Sequence, residues 1–223
     1  MESSGIYELQ KKAAVLFLLL FLSSTLFEHT INYSLSGAPT QNVVWYYLKL
    51  GYQHILPNGF DHILFVTGLC LLSTKVKTIL WQATAFTVAH SITLALSMKG
   101  LIVAPGAVVE PVIALSIMFV AVENMILSEL RPWRIAVVFL FGLIHGMGFA
   151  SALNEIGLPP GRFFTSILSF NLGVELGQIT IIALTFGLII IPFRNKKWYR
   201  TNIVYGLSLL IAIIAGYWTI ERL

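Results

Sequence analysis

The sequence contains little charge and is dominated by apolar residues. Only 11% of its 223 residues are Asp, Glu, Lys or Arg, whereas 57% are hydrophobic. The mean hydropathy is +0.84. Because soluble domains carry about 25% charged residues, this composition argues against an ordinary soluble domain and predicts a chain in contact with membrane lipids.

Cysteine and aspartate each occur once, as Cys70 and Asp61. A single cysteine excludes an intramolecular disulfide and a metal site built from several thiolates. The net charge of +4 does not predict nucleic acid as a partner. The basic residues lie at the ends of apolar runs and form no basic stripe with interleaved aromatic side chains.

Seven apolar segments approach the roughly 20 residues needed to cross the hydrocarbon core of a bilayer. We therefore predict an all-α, polytopic membrane protein with seven transmembrane helices, forming a single helical domain over residues 1–223. The first segment follows Lys11 and Lys12 and is predicted to be a retained signal-anchor helix. The predicted spans are 13–32, 59–74, 79–98, 107–127, 135–153, 165–191 and 202–220.

The basic residues are distributed unevenly between the two sides of these spans. With the N-terminus inside, ten Lys or Arg residues lie in inner segments and four in outer segments. The positive-inside rule therefore predicts a cytoplasmic N-terminus and an external C-terminus. The inner residues are Lys11, Lys12, Lys75, Lys77, Arg131, Arg134, Arg194, Lys196, Lys197 and Arg200, and the outer ones are Lys49, Lys99, Arg162 and Arg222.

The segment before the second span combines a predicted surface helix with a helix break. Residues 43–56 predict an amphipathic helix, and the sequence Pro57-Asn58-Gly59 ends it. Irregular backbone at membrane depth is tolerated where it lines water or protein. We therefore expect His54 to fold back over a cavity.

Lone ionisable side chains recur in the apolar segments, and no Lys or Arg lies among them. A carboxylate in hydrocarbon must be protonated, hydrogen-bonded or facing a cation. In the predicted topology all of these groups except Glu123 lie in the outer half of the bilayer. They predict a shared cavity, open to the outside, that binds a metal ion. The candidate ligands are His54, Asp61, His62, His90, Glu110, His145 and Glu175.

Polar neighbours share helix faces with several of these candidates. Asn171, Glu175 and Gln178 follow the i, i+4, i+7 spacing of one face, and Thr93 lies on the face of His90. We predict that Asn171, Gln178 and Thr93 support the ligands by hydrogen bonding. Glu123 and Asn124 are the only sequence hint of a path from this cavity to the inside.

Five motifs, taken in order, resemble the HupE/UreJ family of bacterial membrane proteins, and they cover about residues 50–190. They are His54-Ile-Leu-Pro-Asn-Gly-Phe-Asp61-His62, Phe86-Thr-Val-Ala-His90, Val109-Glu110-Pro-Val-Ile-Ala-Leu-Ser, Phe141-Gly-Leu-Ile-His145-Gly-Met-Gly-Phe-Ala and Phe170-Asn171-Leu-Gly-Val-Glu175. The resemblance implies a multi-pass protein of the bacterial cytoplasmic membrane that acts as a nickel or cobalt permease. It also implies that His54, Asp61 and His62 form the metal-handling motif.

Two classes of function fit these residues. The first is a transition-metal transporter, because imidazole and carboxylate ligands suit nickel, cobalt or zinc. The second is an intramembrane zinc-dependent hydrolase or transferase, with three histidines on the metal and Glu110 or Glu175 as general base. The chain contains no HExxH motif, which weakens the case for the enzyme, so transport is the preferred prediction.

Overall fold

The computed structural model describes residues 33–223, and the regular structure in this range is helical, with no β-strand. The prediction of an all-α fold is confirmed for this part of the chain. The predicted signal-anchor helix at 13–32 lies outside the described residues.

The helices within this range follow one another through short connections. They are α1 Thr40–Ile55, α2 Phe60–Leu71, α3 Val76–Met98, α4 Gly106–Ile126, α5 Arg134–Gly148, α6 Ala150–Ile156, α7 Phe163–Thr185 and α8 Tyr205–Glu221. The remaining helical segments are a 3-10 turn at Tyr33–Leu35, a π-helical extension of α7 at Phe186–Ile190, a helical turn at Ile191–Phe193 and a π-helical segment before α8 at Tyr199–Val204.

Five helical stretches among the described residues are long and apolar enough to cross a membrane. They are Val76–Met98, Gly106–Ile126, Arg134–Ile156, Phe163–Phe193 and Tyr199–Glu221. These stretches match the last five predicted spans closely. The predicted span 59–74 is replaced by the shorter apolar helix α2, whose 12 residues extend only about 18 Å. The predicted count of seven spans therefore corresponds here to five spans and one short apolar helix.

Helix α1 packs along α7 with the two backbones in direct contact. A Cβ atom added at Gly51 would collide with the carbonyl of Phe170, and one added at Gly173 would collide with the carbonyl of Leu48. Tyr47 on the same face of α1 is fully buried and donates a hydrogen bond to the Gly157 carbonyl at 2.7 Å. A helix is thus present where the amphipathic helix over 43–56 was predicted, but it packs lengthwise along α7 and does not lie on the surface as predicted.

The chain is irregular between α1 and α2, over residues 56–59, and the Leu56-Pro57 peptide bond is cis. Together the two helices form one interrupted apolar segment. The interruption places His54 in the last turn of α1 and His62 in the first turn of α2. A break of this kind is typical of ion sites in transport proteins, where discontinuous helices expose ligands inside the bilayer.

Helices α3 and α5 form a second close pair, and together with α4 they enclose the other side of this region. The Thr93 hydroxyl on α3 donates a hydrogen bond to the Leu143 carbonyl on α5 at 2.7 Å. This contact fixes the register between the two helices. It brings His90 of α3 and His145 of α5 to the same region as the break between α1 and α2.

Candidate metal centre

Four histidines from four helices converge at the interrupted segment. The ring centroids of His54 and His62 are 4.7 Å apart, and those of His62 and His145 are 5.1 Å apart. His90 lies 6.1 Å from both His54 and His62. One ring nitrogen from each of His54, His62 and His90 can be chosen so that all three lie within 4.8 Å of one another.

Asn171 determines which nitrogen of His90 is available to a ligand. The Asn171 amide nitrogen donates to the Ile167 carbonyl at 2.9 Å, so its Oδ1 faces His90 Nδ1 at 3.1 Å. An amide oxygen only accepts hydrogen bonds, which places the proton on Nδ1. His90 Nε2 therefore keeps its lone pair, and this is the arrangement that orients a metal-binding histidine.

Ser116 fixes the other tautomer in His145. The Ser116 hydroxyl donates its proton to the Ile113 carbonyl at 2.7 Å and lies 3.0 Å from His145 Nε2. A hydroxyl has a single proton, so the serine oxygen accepts from Nε2–H. The lone pair of His145 therefore lies on Nδ1.

Each of the four rings keeps one buried nitrogen without a hydrogen-bond partner among the described residues. These atoms are His54 Nε2, His62 Nε2, His90 Nε2 and His145 Nδ1. Buried polar atoms in native proteins are normally satisfied, and neutral imidazole nitrogens are donors that a transition-metal ion can use. Nitrogens bound tetrahedrally at about 2.1 Å lie about 3.4 Å apart, so ring movements of about 1 Å would bring His54, His62 and His90 to one ion.

Phenylalanine rings surround this histidine cluster. Phe149 lies 4.0 Å from His54, and Phe86 lies 4.9 Å from His145, measured between ring centroids. Phe170 stacks on His90 at 6.4 Å. An apolar shell disfavours charged imidazolium, and neutral imidazole is the form that binds metal.

A cavity of about 240 Å³ leads to the cluster and is lined by His54, His62, His145, Asp61, Glu110 and Arg222 among others. At this cavity the Asp61 carboxylate pairs with the Arg222 guanidinium, with Nη2 at 3.1 Å from Oδ1 and 3.3 Å from Oδ2. Both side chains are partly exposed. The structure thus places Asp61 in the cavity wall, in an ion pair with Arg222, the residue that follows α8.

The other two predicted carboxylate ligands also lie outside the close group of nitrogen atoms. Glu110 is exposed, lines the same cavity and also lines a neighbouring cavity of about 310 Å³. Glu175 lies between α3 and α7 and accepts a hydrogen bond from the Thr84 hydroxyl at 2.7 Å. Glu110 therefore lies at the cavity and not among the ring nitrogens, and Glu175 lies further along α7.

The three predicted supporting residues occupy different positions. Asn171 contacts His90 directly, whereas Thr93 joins α3 to α5 through the Leu143 carbonyl. Gln178 lies within 3.2 Å of the Thr87 hydroxyl, on the same helix face as Glu175. Sequence reasoning missed Ser116, a small polar residue in an apolar run, and the pairing role of Arg222 at the opposite end of the sequence.

Glu123 and Asn124 were predicted to form the inner path. In the structure Arg134 contacts both of them, and the three side chains form a buried network. Arg134 Nε lies 3.0 Å from Glu123 Oε2, and both side chains are almost completely buried. Arg134 also donates to Asn124 Oδ1 at 3.3 Å, and Asn124 donates to the Gly68 carbonyl at 2.8 Å. This network ties α5, α4 and α2 together at the end of the bundle away from the histidines.

A family model described as HupE / UreJ protein matches residues 29–222, which is most of the chain and extends beyond the predicted family-like core at 50–190. No curated protein and no solved structure gives a significant match.

Proposed function

The chain belongs to the HupE/UreJ family, and from this membership and the histidine cluster we propose that it is a membrane transporter of a divalent transition metal such as nickel or cobalt. The family is generally associated with nickel and cobalt transport. The observation that carries the proposal is the convergence of buried imidazole nitrogens that have no hydrogen-bond partner within residues 33–223. His54, His62 and His90 are the proposed ligands, and His145 is the proposed fourth.

Neutral imidazoles suit a transported ion better than a tightly held structural one. They bind nickel, cobalt and zinc but leave the double positive charge of the ion uncompensated. Transport requires binding that is favourable enough for capture and weak enough for release. The Glu110 carboxylate at the cavity is proposed to supply the negative potential that attracts the cation, since the charge of Asp61 is balanced by Arg222.

The proposal is tested first by metal binding. We expect His90→Ala and His145→Ala each to abolish the tight, stoichiometric binding of Ni²⁺ or Co²⁺, measured by titration calorimetry and elemental analysis of the purified protein. Each substitution removes a donor that the remaining side chains cannot replace. His29→Ala is the matched control and should bind as the wild type does, because Glu28 is its only acidic neighbour in sequence. Full stoichiometry in His90→Ala would refute the assigned site.

A second candidate function is a zinc-dependent hydrolase or transferase with a one-sided active site. The buried Glu123–Arg134 pair favours it, because Arg134 occupies the place where Glu123 and Asn124 were predicted to form the inner path. In this function Glu110 and Glu175 are the candidate general bases, and Glu110 lines the same cavity as His62 and His145. Reconstituted vesicles distinguish the two candidates. Wild-type protein that binds metal without moving it across the bilayer would reject transport.

A further inference from the structure

Polar side chains continue from the histidine cluster along the interface between α3 and α7. Glu175 and Gln178 lie four and seven residues beyond Asn171, or about 6 Å and about 10 Å along the helix axis. Each contacts a threonine on α3. The three cross-interface contacts are His90–Asn171, Thr84–Glu175 and Thr87–Gln178. This interface therefore carries oxygen-bearing groups away from the cluster and toward the predicted cytoplasmic end.

Glu175 keeps one carboxylate oxygen unsatisfied. Its Oε1 accepts a hydrogen bond from Thr84, whereas its Oε2 is buried and has no hydrogen-bond partner within residues 33–223. The two ion pairs formed in that range, Arg134–Glu123 and Arg222–Asp61, do not include Glu175. A buried acceptor atom without a donor is unusual in native proteins, so Oε2 is an open ligand atom.

Gln178 can present a second oxygen beside it. The side chain is fully buried, its Oε1 lies 3.2 Å from the Thr87 hydroxyl, and its Nε2 has no partner among the described residues. The Thr87 hydroxyl also lies 3.2 Å from the Ala83 carbonyl and has one proton to give. If that proton goes to Ala83, a half-turn of the Gln178 amide lets Nε2 donate to Thr87 and frees Oε1.

On these contacts, and resting on the proposed transport function, we propose that Glu175 and Gln178 form a second cation station. This station accepts the divalent metal ion from the histidine cluster. It lies on the route that the ion follows between α3 and α7. Glu175 and Gln178 are three residues apart and share one helix face. Their oxygen ligands bind nickel and cobalt less strongly than imidazole does, so the second station holds the ion more weakly than the first.

Glu123 and Asn124 on α4, the predicted inner path, offer no comparable route. Glu123 already has a positive partner in Arg134, and the Asn124 amide is engaged on both sides. A metal ion passing there would have to displace a buried guanidinium. Glu175 faces no such competitor in the described part of the chain, and the α3–α7 interface is therefore the path assigned to the ion.

The station is tested by the stoichiometry of Co²⁺ binding. We expect wild-type protein to bind two Co²⁺ ions per chain, one tightly at the histidines and one more weakly. Glu175→Gln should retain the tight ion, with an unchanged visible Co²⁺ absorption spectrum, and lose the weak one. Glu155→Gln changes an exposed glutamate and should bind two ions. This measurement does not depend on whether the protein transports metal.

The second test of the station measures Co²⁺ flux in proteoliposomes. Glu175→Gln should slow Co²⁺ movement about tenfold or more, because a conduction path needs successive binding sites. Glu123→Gln should retain most of the flux.

A single bound ion in the wild type, or wild-type flux in Glu175→Gln, would overturn the proposal of a second station. Absence of flux in the wild type would instead reject the proposed transport function. Loss of the tight ion in Glu175→Gln would make Glu175 part of the histidine site and also overturn the proposal.

Discussion

At the scale of single residues, the chemistry of the site depends on which ring nitrogen carries the proton. Asn171 and Ser116 set opposite tautomers in His90 and His145, and each leaves a lone pair within the cluster. Neither partner contributes a metal ligand. Such supporting hydrogen bonds hold the ring orientation and are worth about 10- to 100-fold in metal affinity.

Asn171→Ala is therefore expected to weaken Co²⁺ binding by about 10- to 100-fold without abolishing it. The His90 ring would lose the acceptor that holds the proton on Nδ1 and would be free to rotate. Calorimetric titration measures the change. Asn202→Ala removes an exposed asparagine and should leave the affinity unchanged. An unaltered affinity in Asn171→Ala would show that Asn171 does not position His90.

The sequence predicted the histidines because each is a lone ionisable group in an apolar run, which is costly unless it has a partner. It did not predict the tautomers, because these depend on contacts between residues far apart in the chain. Asn171 is 81 residues from His90, and Arg222 is 161 residues from Asp61. No local pattern encodes such pairs.

At the scale of helices, the packing of α1 on α7 determines where His54 stands. The backbones meet at Gly51 and Gly173, where any side chain would force them apart. Since His54 lies one turn beyond Gly51, a displacement of α1 would be transmitted to the site. Periodicity in the sequence predicted the helix but not its partner. A glycine permits another helix to pack closely, but it does not indicate which helix that is.

Gly173→Ala should lower the stability of the protein by about 1–3 kcal/mol, the usual cost of overpacking, and should weaken metal binding. Thermal unfolding in detergent measures the first effect and Co²⁺ titration the second. Gly206→Ala is the matched control, because an added Cβ there meets nothing within 4 Å. We expect it to be neutral or slightly stabilising, since alanine favours helix by about 0.5–1 kcal/mol. Equal behaviour of the two variants would contradict the packing argument.

At the scale of the whole molecule, the polar groups are distributed unevenly along the bundle. The histidine cluster and Asp61 lie toward the end where α2 and α4 begin and α8 ends, whereas Arg134 and Glu123 lie at the opposite end. The charge count predicts that the first end faces outward. Composition and hydropathy were sufficient to predict five of the spans, because lipid contact constrains a whole helix rather than single positions.

This orientation is tested by thiol labelling. A cysteine introduced at Ser36 should react with a membrane-impermeant maleimide in intact cells, and one at Lys196 should react only after the membrane is opened. Both positions are exposed, so a lack of labelling would reflect the membrane rather than burial in the protein. The reverse pattern would overturn the predicted topology and the assignment of the cluster to the outer half of the bilayer.

The burial of Cys70 has a practical consequence for such measurements. It is the single cysteine of the chain, and its thiol is 0% exposed. Buried structural thiols are chemically inert. Cys70 should therefore not react with the maleimide, and labelling would report only the introduced cysteine. The same thiol lies two residues from Gly68, whose carbonyl accepts the Asn124 hydrogen bond. Slow modification of Cys70 by a membrane-permeant reagent would therefore measure how often this end of the bundle opens.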